Sequence, residues 1–307
     1  MTDPPFTTAA EAATFAGGKE ALTMADLAIE YETGLCMGTR AALRERMNLV
    51  LSVMRRSMVP PPENWPVRTF IIPQLARFLK VQEDLQESEN TTPTFHSLNL
   101  GLLNGAMSSA TAVMENSCVH RTIVAAPTAG SCGVIPAAVI NLGDRLGCND
   151  KIILNGLWAS GLVGAFIANQ ATFGAEVAGC QAEIGSAAAM AAAGVVELRG
   201  GSVLQGFHTA AIAMQSFMGL ICDPVAGLTE FPCIERNVTG ASVAVTSANM
   251  ALCGMTSPVS LDETIRTMLE VGKLLPKELR CTCEGGLCTT ETGRILAQVL
   301  AKELSRY

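Results

Sequence analysis

The sequence predicts a mostly α-helical fold, and three observations support this prediction. Apolar residues make up 49% of the 307-residue chain but aromatic residues only 5%, so the core must consist of alanine and aliphatic side chains. The chain also contains 28 glycines, which let such helices pack closely. No stretch shows the strict two-residue alternation of a half-buried strand. We expect a single domain over residues 1–307, with an N-terminal helical segment at 1–90 and a core at 91–307.

Two helices are predicted before the core. Residues 20–58 contain an acidic segment with apolar residues at helical spacing, and then a segment with charged and apolar faces. The proline-rich stretch 59–65 is expected to end the second helix, because proline lacks the backbone N–H that a helix interior requires. The polar stretch 86–93 is typical of a loop.

Further helices are predicted in the core. Residues 156–168, 184–196 and 209–220 have the length and the alanine and methionine content of helices. Two longer stretches, 152–175 and 237–261, lack charged residues and approach membrane spans in hydropathy. Both contain polar side chains that would be costly in lipid, so buried helices are predicted and no membrane span.

Charge and cysteine content narrow the class of protein. The formal charge is −7 and the 21 basic residues are scattered, whereas nucleic-acid binding requires clustered Lys and Arg, so no nucleic-acid partner is expected. The first residues lack the basic and apolar regions of a secretory signal, which predicts a cytoplasmic protein. In a reducing compartment, the cysteines are expected to be core residues or metal ligands and not a disulfide framework.

The loop at residues 127–133 is the first candidate site. Its backbone N–H groups, two hydroxyl side chains and the N-terminus of a helix that starts near Ile135 could bind a carboxylate. A helix-capping turn would use the same residue types, and the residues alone leave both interpretations open. The candidate binding residues are Thr128, Ala129, Gly130 and Ser131.

The second candidate site consists of three cysteines. Cys222 and Cys233 each lie within two residues of a proline and flank a glycine-containing turn, so their thiols and that of Cys180 could converge. A free cysteine is commonly a small buried apolar residue, and the spacing does not decide between these roles. Glu183 and Asp223, close to Cys180 and Cys222 in sequence, are candidate catalytic residues that could transfer a proton or orient ligands.

Three of the polar residues near these cysteines also have simpler interpretations. Arg236 and Asn237 follow Cys233 and could bind a substrate carboxylate or cap a helix. Asp223 precedes a proline and could be a helix cap or a solvated side chain.

Four segments resemble the signature segments of the alpha domain of iron–sulfur L-serine dehydratases, in the order found in that family. They are APTAGSCGVIPA, GCQAEIGSAAAMAAA, CDPVAGLTEFPCIERN and EGGLCTTETG. The intervals of 42 residues between Cys180 and Cys222 and of 11 residues between Cys222 and Cys233 match the family's three cluster-binding cysteines. The resemblance extends upstream to the LSVM segment at residues 51–54. It implies a compact all-helical catalytic domain.

The resemblance also implies a cofactor and a reaction. In the family a [4Fe–4S] cluster is bound by three thiolates, here Cys180, Cys222 and Cys233, and the iron without a protein ligand acts as a Lewis acid on the substrate hydroxyl. A base removes the α-proton of L-serine, and the products are pyruvate and ammonia, a step of amino-acid degradation and gluconeogenesis. A pyridoxal enzyme could catalyse this reaction, but none of the lysines lies in a Schiff-base context.

A separate beta subunit is implied by what the chain lacks. Single-chain family members carry an additional α/β domain whose Ser-His-Thr loop helps bind the substrate and is thought to supply the base. This chain has no match to that loop. His96, His120 and His208 are expected to be structural, His208 near a helix start. We therefore expect a beta subunit that carries the loop, and an oligomeric assembly.

Two departures from the family pattern keep other functions open. Cys118 and His120 replace small residues, so the substrate could be threonine, cysteine or a larger β-substituted amino acid instead of L-serine. Additional thiols at Cys281, Cys283 and Cys288 could be redox-sensitive, could approach the cluster or could be inert. With the missing domain, they motivate the alternative of a non-catalytic redox partner that carries a cluster.

Overall fold

The fold is known from a computed structural model that describes residues 4–17, 22–35, 38–72, 75–87 and 98–305. Throughout these ranges the regular secondary structure is helical. The β-type pairing there is limited to one isolated parallel bridge. The mostly α-helical fold predicted from the sequence is therefore confirmed.

The α-helices of the described residues are numbered in chain order. They are α1 (Ala9–Gly17), α2 (Met24–Gly34), α3 (Arg40–Ser57), α4 (Leu75–Glu87), α5 (Leu102–Cys118), α6 (Leu142–Arg145), α7 (Asp150–Gln170), α8 (Ala175–Ala178), α9 (Ser186–Leu198), α10 (Val203–Gln215), α11 (Cys233–Leu252), α12 (Leu261–Leu274) and α13 (Glu291–Leu304).

The N-terminal helices lie close to their predicted places. Helices α2 and α3 are the two predicted within residues 20–58, and α3 ends at Ser57, just before the proline-rich stretch. Helix α4 continues to Glu87, so the predicted loop at 86–93 begins later than expected, because the residues before it are good helix formers. The rest of that predicted loop, residues 88–93, lies outside the described residues.

Helix α9 lies at the centre of the fold. Every one of its residues is buried, and α7, α10 and α11 pack against it. Its alanine-rich sequence permits this close approach from several sides. At Gly194 a Cβ atom would lie only 2.7 Å from the Gly156 carbonyl oxygen of α7, so this crossing requires a glycine.

Helix α10 begins and ends earlier in the chain than the sequence predicts. The sequence predicts a helix at 209–220, whereas α10 begins after Ser202, whose side chain accepts a hydrogen bond from the Gln205 N–H in a capping box. The helix ends at Gln215, and the chain then turns through Gly219, which has φ +83°. His208 therefore lies in the middle of α10 and not at a helix start, as expected from the sequence.

Helix α7 is long and apolar enough to cross a membrane by length and composition. However, 61% of its most apolar 18-residue stretch is buried inside the protein. It packs against α2 and α9. These contacts are those of a core helix in a globular protein, in agreement with the prediction of buried helices.

Irregular helical turns surround the region in which the candidate site residues lie. A π-helical turn, Gln181–Gly185, leads into α9, and another, Pro136–Asn141, leads into α6. Short 3₁₀ turns occur at Ala129–Ser131, Val225–Gly227 and Gly286–Thr289. Such π-helical turns often accompany functional sites, because they shift side chains out of helical register.

Substitution of Gly272 by alanine is expected to destabilise the protein. Its Cβ atom would lie 2.3 Å from Ala178 Cβ and 2.5 Å from Ala178 Cα, so α12 and α8 would have to separate. Overpacking of this kind costs about 1–3 kcal/mol, and the midpoint of denaturant unfolding should fall accordingly.

Gly161→Ala is the matched control for this substitution. Gly161 lies within α7 and is exposed, and a Cβ atom at this position would meet no neighbouring side chain or other helix within 4 Å. Its replacement should leave stability unchanged or raise it by up to about 1 kcal/mol, because alanine favours a helix interior over glycine. Equal effects of the two substitutions would contradict the close packing of α8 on α12.

Candidate functional site

Two of the three predicted cysteines meet next to a carboxylate. The Cys180 and Cys222 Sγ atoms and a Glu183 carboxylate oxygen all lie within 4.8 Å of one another. Cys180 and Cys222 are 2% and 3% exposed, so both thiols are enclosed by protein. Thiolates are the preferred ligands of iron–sulfur clusters, zinc and copper(I), and this donor set therefore fits a soft metal centre.

Gln181 connects the two chain segments that carry these thiols. The Gln181 N–H donates to the Leu220 carbonyl at 3.1 Å, and its side-chain oxygen accepts from the Gly219 N–H at 2.9 Å. Gln181 is only 1% exposed. The segment that begins α9 is thus fixed to the loop after α10, which brings Cys180 and Cys222 together.

Cys233 lies apart from this compact set. It is the first residue of α11 and packs with Val113, Met114 and Cys132 in a separate group of buried apolar side chains. Burial, followed by the charges of Cys180 and Glu183, raises its pKa, so it lies within electrostatic range of both. Donors to different irons of one cluster need not lie as close as donors to a single ion. The compact set of donor atoms among the described residues therefore contains two of the three predicted cluster cysteines.

The pKa values of the paired thiols move in opposite directions. A hydrogen bond from Cys222, together with the nearby Arg236 guanidinium, lowers the pKa of Cys180 despite its burial. The pKa of Cys222 is raised, first because its proton is held in the hydrogen bond to Cys180 and second because it is buried. Cys180 is thus the thiol of the pair that ionises first.

Glu183 links the thiols to the Thr128 loop. The Thr128 hydroxyl donates to Glu183 Oε1 at 2.7 Å and lies 3.0 Å from the Ser131 hydroxyl oxygen. The Cys180 Sγ lies 3.9 Å from the other carboxylate oxygen of Glu183. Burial raises the pKa of Glu183, although the Thr128 hydrogen bond opposes the shift. The carboxyl group therefore holds a proton more readily than an exposed glutamate does.

Glycine at position 130 leaves room for this carboxylate. A Cβ atom there would lie 3.0 Å from both Glu183 carboxylate oxygens. In the same loop, Ala129 is exposed, Thr128 is half-buried and Ser131 is buried. The predicted binding loop thus faces Glu183, and its open side lies around Ala129.

Asn237 holds the loop in place. Its Nδ2 group donates to the Gly130 carbonyl and to the Cys233 carbonyl, each at 2.8 Å, and its Oδ1 atom accepts from the Gly133 N–H at 2.9 Å. The residue is fully buried. These bonds occupy the amide within the protein, so its contribution is to shape the loop and to connect it to the start of α11.

The half-buried Arg236 and the buried Asp223 form an ion pair beside Cys180. Arg236 Nη2 donates to Asp223 Oδ1 at 2.8 Å, and Nη1 donates to the Ile221 carbonyl at 3.1 Å and to Cys180 Sγ at 3.6 Å. Asp223 Oδ2 accepts from the Leu287 N–H at 2.9 Å. Burial disfavours the charged guanidinium, but Cys180 and Asp223 outweigh it and raise the pKa of Arg236. Asp223 is 2% exposed and therefore not solvated, and its bond to the Leu287 N–H lies at the start of the 3₁₀ turn Gly286–Thr289.

The additional thiols lie against the segment that contains Cys222. An isolated parallel bridge aligns Cys222 with Arg280, and the Cys281 N–H donates to the Cys222 carbonyl at 2.9 Å. The Cys281 thiol forms a hydrogen bond with Cys222, although burial dominates and raises its pKa. Cys288 Sγ donates to the Pro224 carbonyl at 2.9 Å, and Cys283 Sγ lies 3.8 Å from the same oxygen.

None of the histidines that the structure describes joins the set of donor atoms. His120 is exposed, and His208 accepts a hydrogen bond from the Ser257 N–H at 3.3 Å. His96 lies outside the described residues. The titratable groups at the thiol site are therefore cysteines, carboxylates and Arg236.

Comparison with known proteins identifies similar chains. The family described as "Serine dehydratase alpha chain" matches residues 19–288. "Probable L-serine dehydratase, alpha chain" from Bacillus subtilis is 37% identical over 275 residues, which cover 90% of this chain and 89% of that protein. "L-serine dehydratase, alpha chain" from Peptoniphilus asaccharolyticus is 34% identical over 278 residues, with 91% and 92% coverage. "L-serine dehydratase" from Haemophilus influenzae is 43% identical over 181 residues, which cover 58% of this chain and 40% of that longer protein.

Proposed function

The chain belongs to the serine dehydratase alpha chain family, and on that basis we propose that it is the catalytic subunit of a lyase that converts L-serine to pyruvate and ammonia. The family match covers most of the chain, and relatives of similar length are named L-serine dehydratase alpha chains. The observation that carries the proposal is the meeting of two buried thiols with Glu183 beside the Thr128 loop.

The donor set fits a [4Fe–4S] cluster held by Cys180, Cys222 and Cys233. The cysteines of the described residues are free thiols, these three are buried, and the Arg236 guanidinium lies next to Cys180, where it offsets negative charge. When bound, such a cluster would supply a Lewis-acidic iron that makes the substrate hydroxyl a better leaving group.

Glu183 is the residue that we propose to move the proton. Its half-buried carboxyl group has a pKa that partial burial raises, so as a base it would accept the substrate α-proton more readily than an exposed carboxylate. Glu183 would take the α-proton and the β-hydroxyl would leave with one proton as water, so the net loss is one water and the product is aminoacrylate, which tautomerises to an imine and hydrolyses to pyruvate and ammonia. Asp223 is also a candidate, but its carboxylate oxygens are engaged by Arg236 and the Leu287 N–H, so we assign it a positioning role.

The Thr128 loop is the proposed contact for the substrate carboxylate. It offers the backbone around Gly130 and the exposed Ala129, next to the proposed base, and the Thr128 hydroxyl holds that base in place by donating to Glu183 Oε1. The Ser131 hydroxyl supports Thr128 from inside the protein. Arg236 donates to Cys180 Sγ and to Asp223 Oδ1, so we assign it a role in positioning these two residues and not in binding the substrate carboxylate. Asn237 fixes the loop backbone.

We further propose a beta subunit that completes the substrate site, because the relatives of similar length are named as alpha chains and a longer relative extends well beyond the matched region. The Ser-His-Thr loop expected of such a partner has no counterpart in this sequence. An oligomer of alpha and beta chains in the cytoplasm, with residues 1–307 as one domain, is the arrangement consistent with this proposal.

A redox partner without catalytic activity is the second candidate. The observation that favours it is the contact of Cys281, Cys283 and Cys288 with residues 222–224, which surrounds a proposed ligand with further thiols. Such a protein would retain a cluster but form no product from any amino acid.

A direct assay separates these functions. The anaerobically reconstituted chain, mixed with its beta subunit, should form pyruvate from L-serine faster than it forms the corresponding oxo acids from L-threonine or pyruvate from L-cysteine. Preference for one of the latter substrates would assign the scaffold to a different amino acid. A chain that holds iron but forms no oxo acid in any mixture would refute the enzyme and favour the redox partner.

A further inference from the structure

A cationic pocket lies where α3 and α5 end, and none of its lining residues belongs to the thiol site. Its volume is about 320 Å³, and its lining includes Arg56, Trp65, Asn116, His120 and Arg121. None of the residues that line it is acidic. This volume suits a small ligand, because pockets for small molecules range from about 300 to 1,000 Å³. We call it the arginine pocket.

The positive charge of the arginine pocket is not neutralised by neighbouring carboxylates. Across the ranges that the structure describes, neither Arg56 nor Arg121 forms a salt bridge. The adjacent Arg55, by contrast, pairs with Asp144 at 2.7 Å and with Asp150 at 2.8 Å. In a chain of net charge −7, two unpaired arginines and a histidine around one concave surface form a local anion-attracting site.

The guanidinium group of Arg121 is held in position before any ligand arrives. Its Nη1 donates to Asn116 Oδ1 at 2.7 Å, and its central carbon lies 5.1 Å from the centre of the Trp65 ring. Asn116 is 1% exposed, and its Nδ2 group bonds to three backbone carbonyls. The Trp65 indole N–H donates to the Val119 carbonyl at 2.9 Å. Each support of Arg121 is therefore itself anchored in the protein.

The turn that ends α5 contributes two residues to the same pocket. His120 has φ +60°, which non-glycine residues rarely adopt, and its N–H donates to the Ser117 carbonyl at 3.2 Å. The Arg121 N–H donates to the Asn116 carbonyl at 2.8 Å, so this left-handed residue and these two hydrogen bonds close the C-terminus of α5. Here the turn places the His120 and Arg121 side chains in the lining of one cavity.

We propose that the arginine pocket binds the phosphate group of a small molecule. A carboxylate has two coplanar oxygens, which a single guanidinium can bind in bidentate fashion. A phosphate group presents more acceptor oxygens in a tetrahedral arrangement. Arg56, His120 and Arg121 offer donors from three positions around the cavity, which matches the tetrahedral group. The proposal stands independently of the dehydratase activity, because it uses none of the residues of the thiol site.

Binding of inorganic phosphate to the full chain tests this proposal. Calorimetric titration at constant ionic strength should show saturable binding of one phosphate per chain, with acetate binding more weakly. Arg56→Gln and Arg121→Gln should each weaken phosphate binding about tenfold, the loss expected for one charge-assisted hydrogen bond. Arg294→Gln, which removes an exposed arginine of α13, should leave the affinity unchanged.

Three outcomes would overturn the proposal: absence of saturable phosphate binding, equal affinity for acetate and phosphate, or unchanged affinity in Arg56→Gln. Arg121 is packed between Asn116 and Trp65, so its replacement could impair folding. Arg56 is exposed, and its replacement keeps the test decisive if Arg121→Gln does not fold.

Discussion

Glu183→Gln is expected to lower kcat for L-serine about 10²- to 10⁴-fold while the iron content stays at the wild-type value. The amide occupies the same volume and can still accept the Thr128 hydrogen bond, so the loop should keep its shape. It cannot accept the substrate proton, and general acid–base catalysis contributes a factor of this size. Steady-state kinetics of the reconstituted enzyme, together with iron analysis of the same samples, measure both quantities.

Glu176→Gln is the matched control for that substitution. Glu176 is exposed on α8, and its charge acts on Glu183 by raising the pKa of that carboxyl group. This charge effect is smaller than those of burial and of the Thr128 hydrogen bond, which the substitution leaves in place, so kcat should stay close to the wild-type value. Full activity of Glu183→Gln with a normal iron content would show that the proton is moved elsewhere, for example by the beta subunit.

The second large effect is expected for Cys222→Ala, which should remove nearly all of the cluster iron. Cys222 is 3% exposed, so water does not readily reach the position that its thiolate would leave. Cys180→Ala and Cys233→Ala should have the same result if all three thiolates bind the cluster. The ratio of iron to protein after anaerobic reconstitution measures the loss.

Cys132→Ala controls for the removal of a buried thiol as such. Cys132 is fully buried in the same group of side chains as Cys233, and burial raises its pKa to about 12, as expected of an inert core thiol. This variant should bind as much iron as the wild type. If Cys132→Ala and Cys233→Ala lost iron equally, the loss would reflect damage to the core and not removal of a ligand.

Much of the fold could be predicted from the sequence, because helix content follows from local composition and from proline positions. The end of α3 is one such case, since the prolines follow it directly. The boundaries of α10 do not follow from composition, because the alanine and methionine content continues beyond Gln215. The available signal for its start was the capping box, a serine at position 202 followed three residues later by glutamine.

The site was predictable in part. The resemblance to the family singled out Cys180, Cys222 and the Thr128 loop, which the structure places around Glu183. No local pattern indicates that Gln181 connects the two thiol segments, because that depends on a buried side chain reaching a loop 38 residues away.

The contact between Cys222 and Cys281 also could not be predicted from local sequence patterns, because it arises from an isolated bridge between distant segments. Arg236 and Asp223 are polar candidates in the sequence, but their pairing depends on the approach of α11 to the loop that contains Asp223. Ion pairs between segments of this kind follow from tertiary packing and not from composition.

Iron and sulfide analysis of the anaerobically purified wild type tests most directly whether buried thiolates of this chain hold a [4Fe–4S] cluster. We expect about four irons and four sulfides per chain, with the broad visible absorption of an iron–sulfur protein. A wild-type chain that remains free of iron after anaerobic reconstitution would contradict both the ligand assignment and the proposed chemistry.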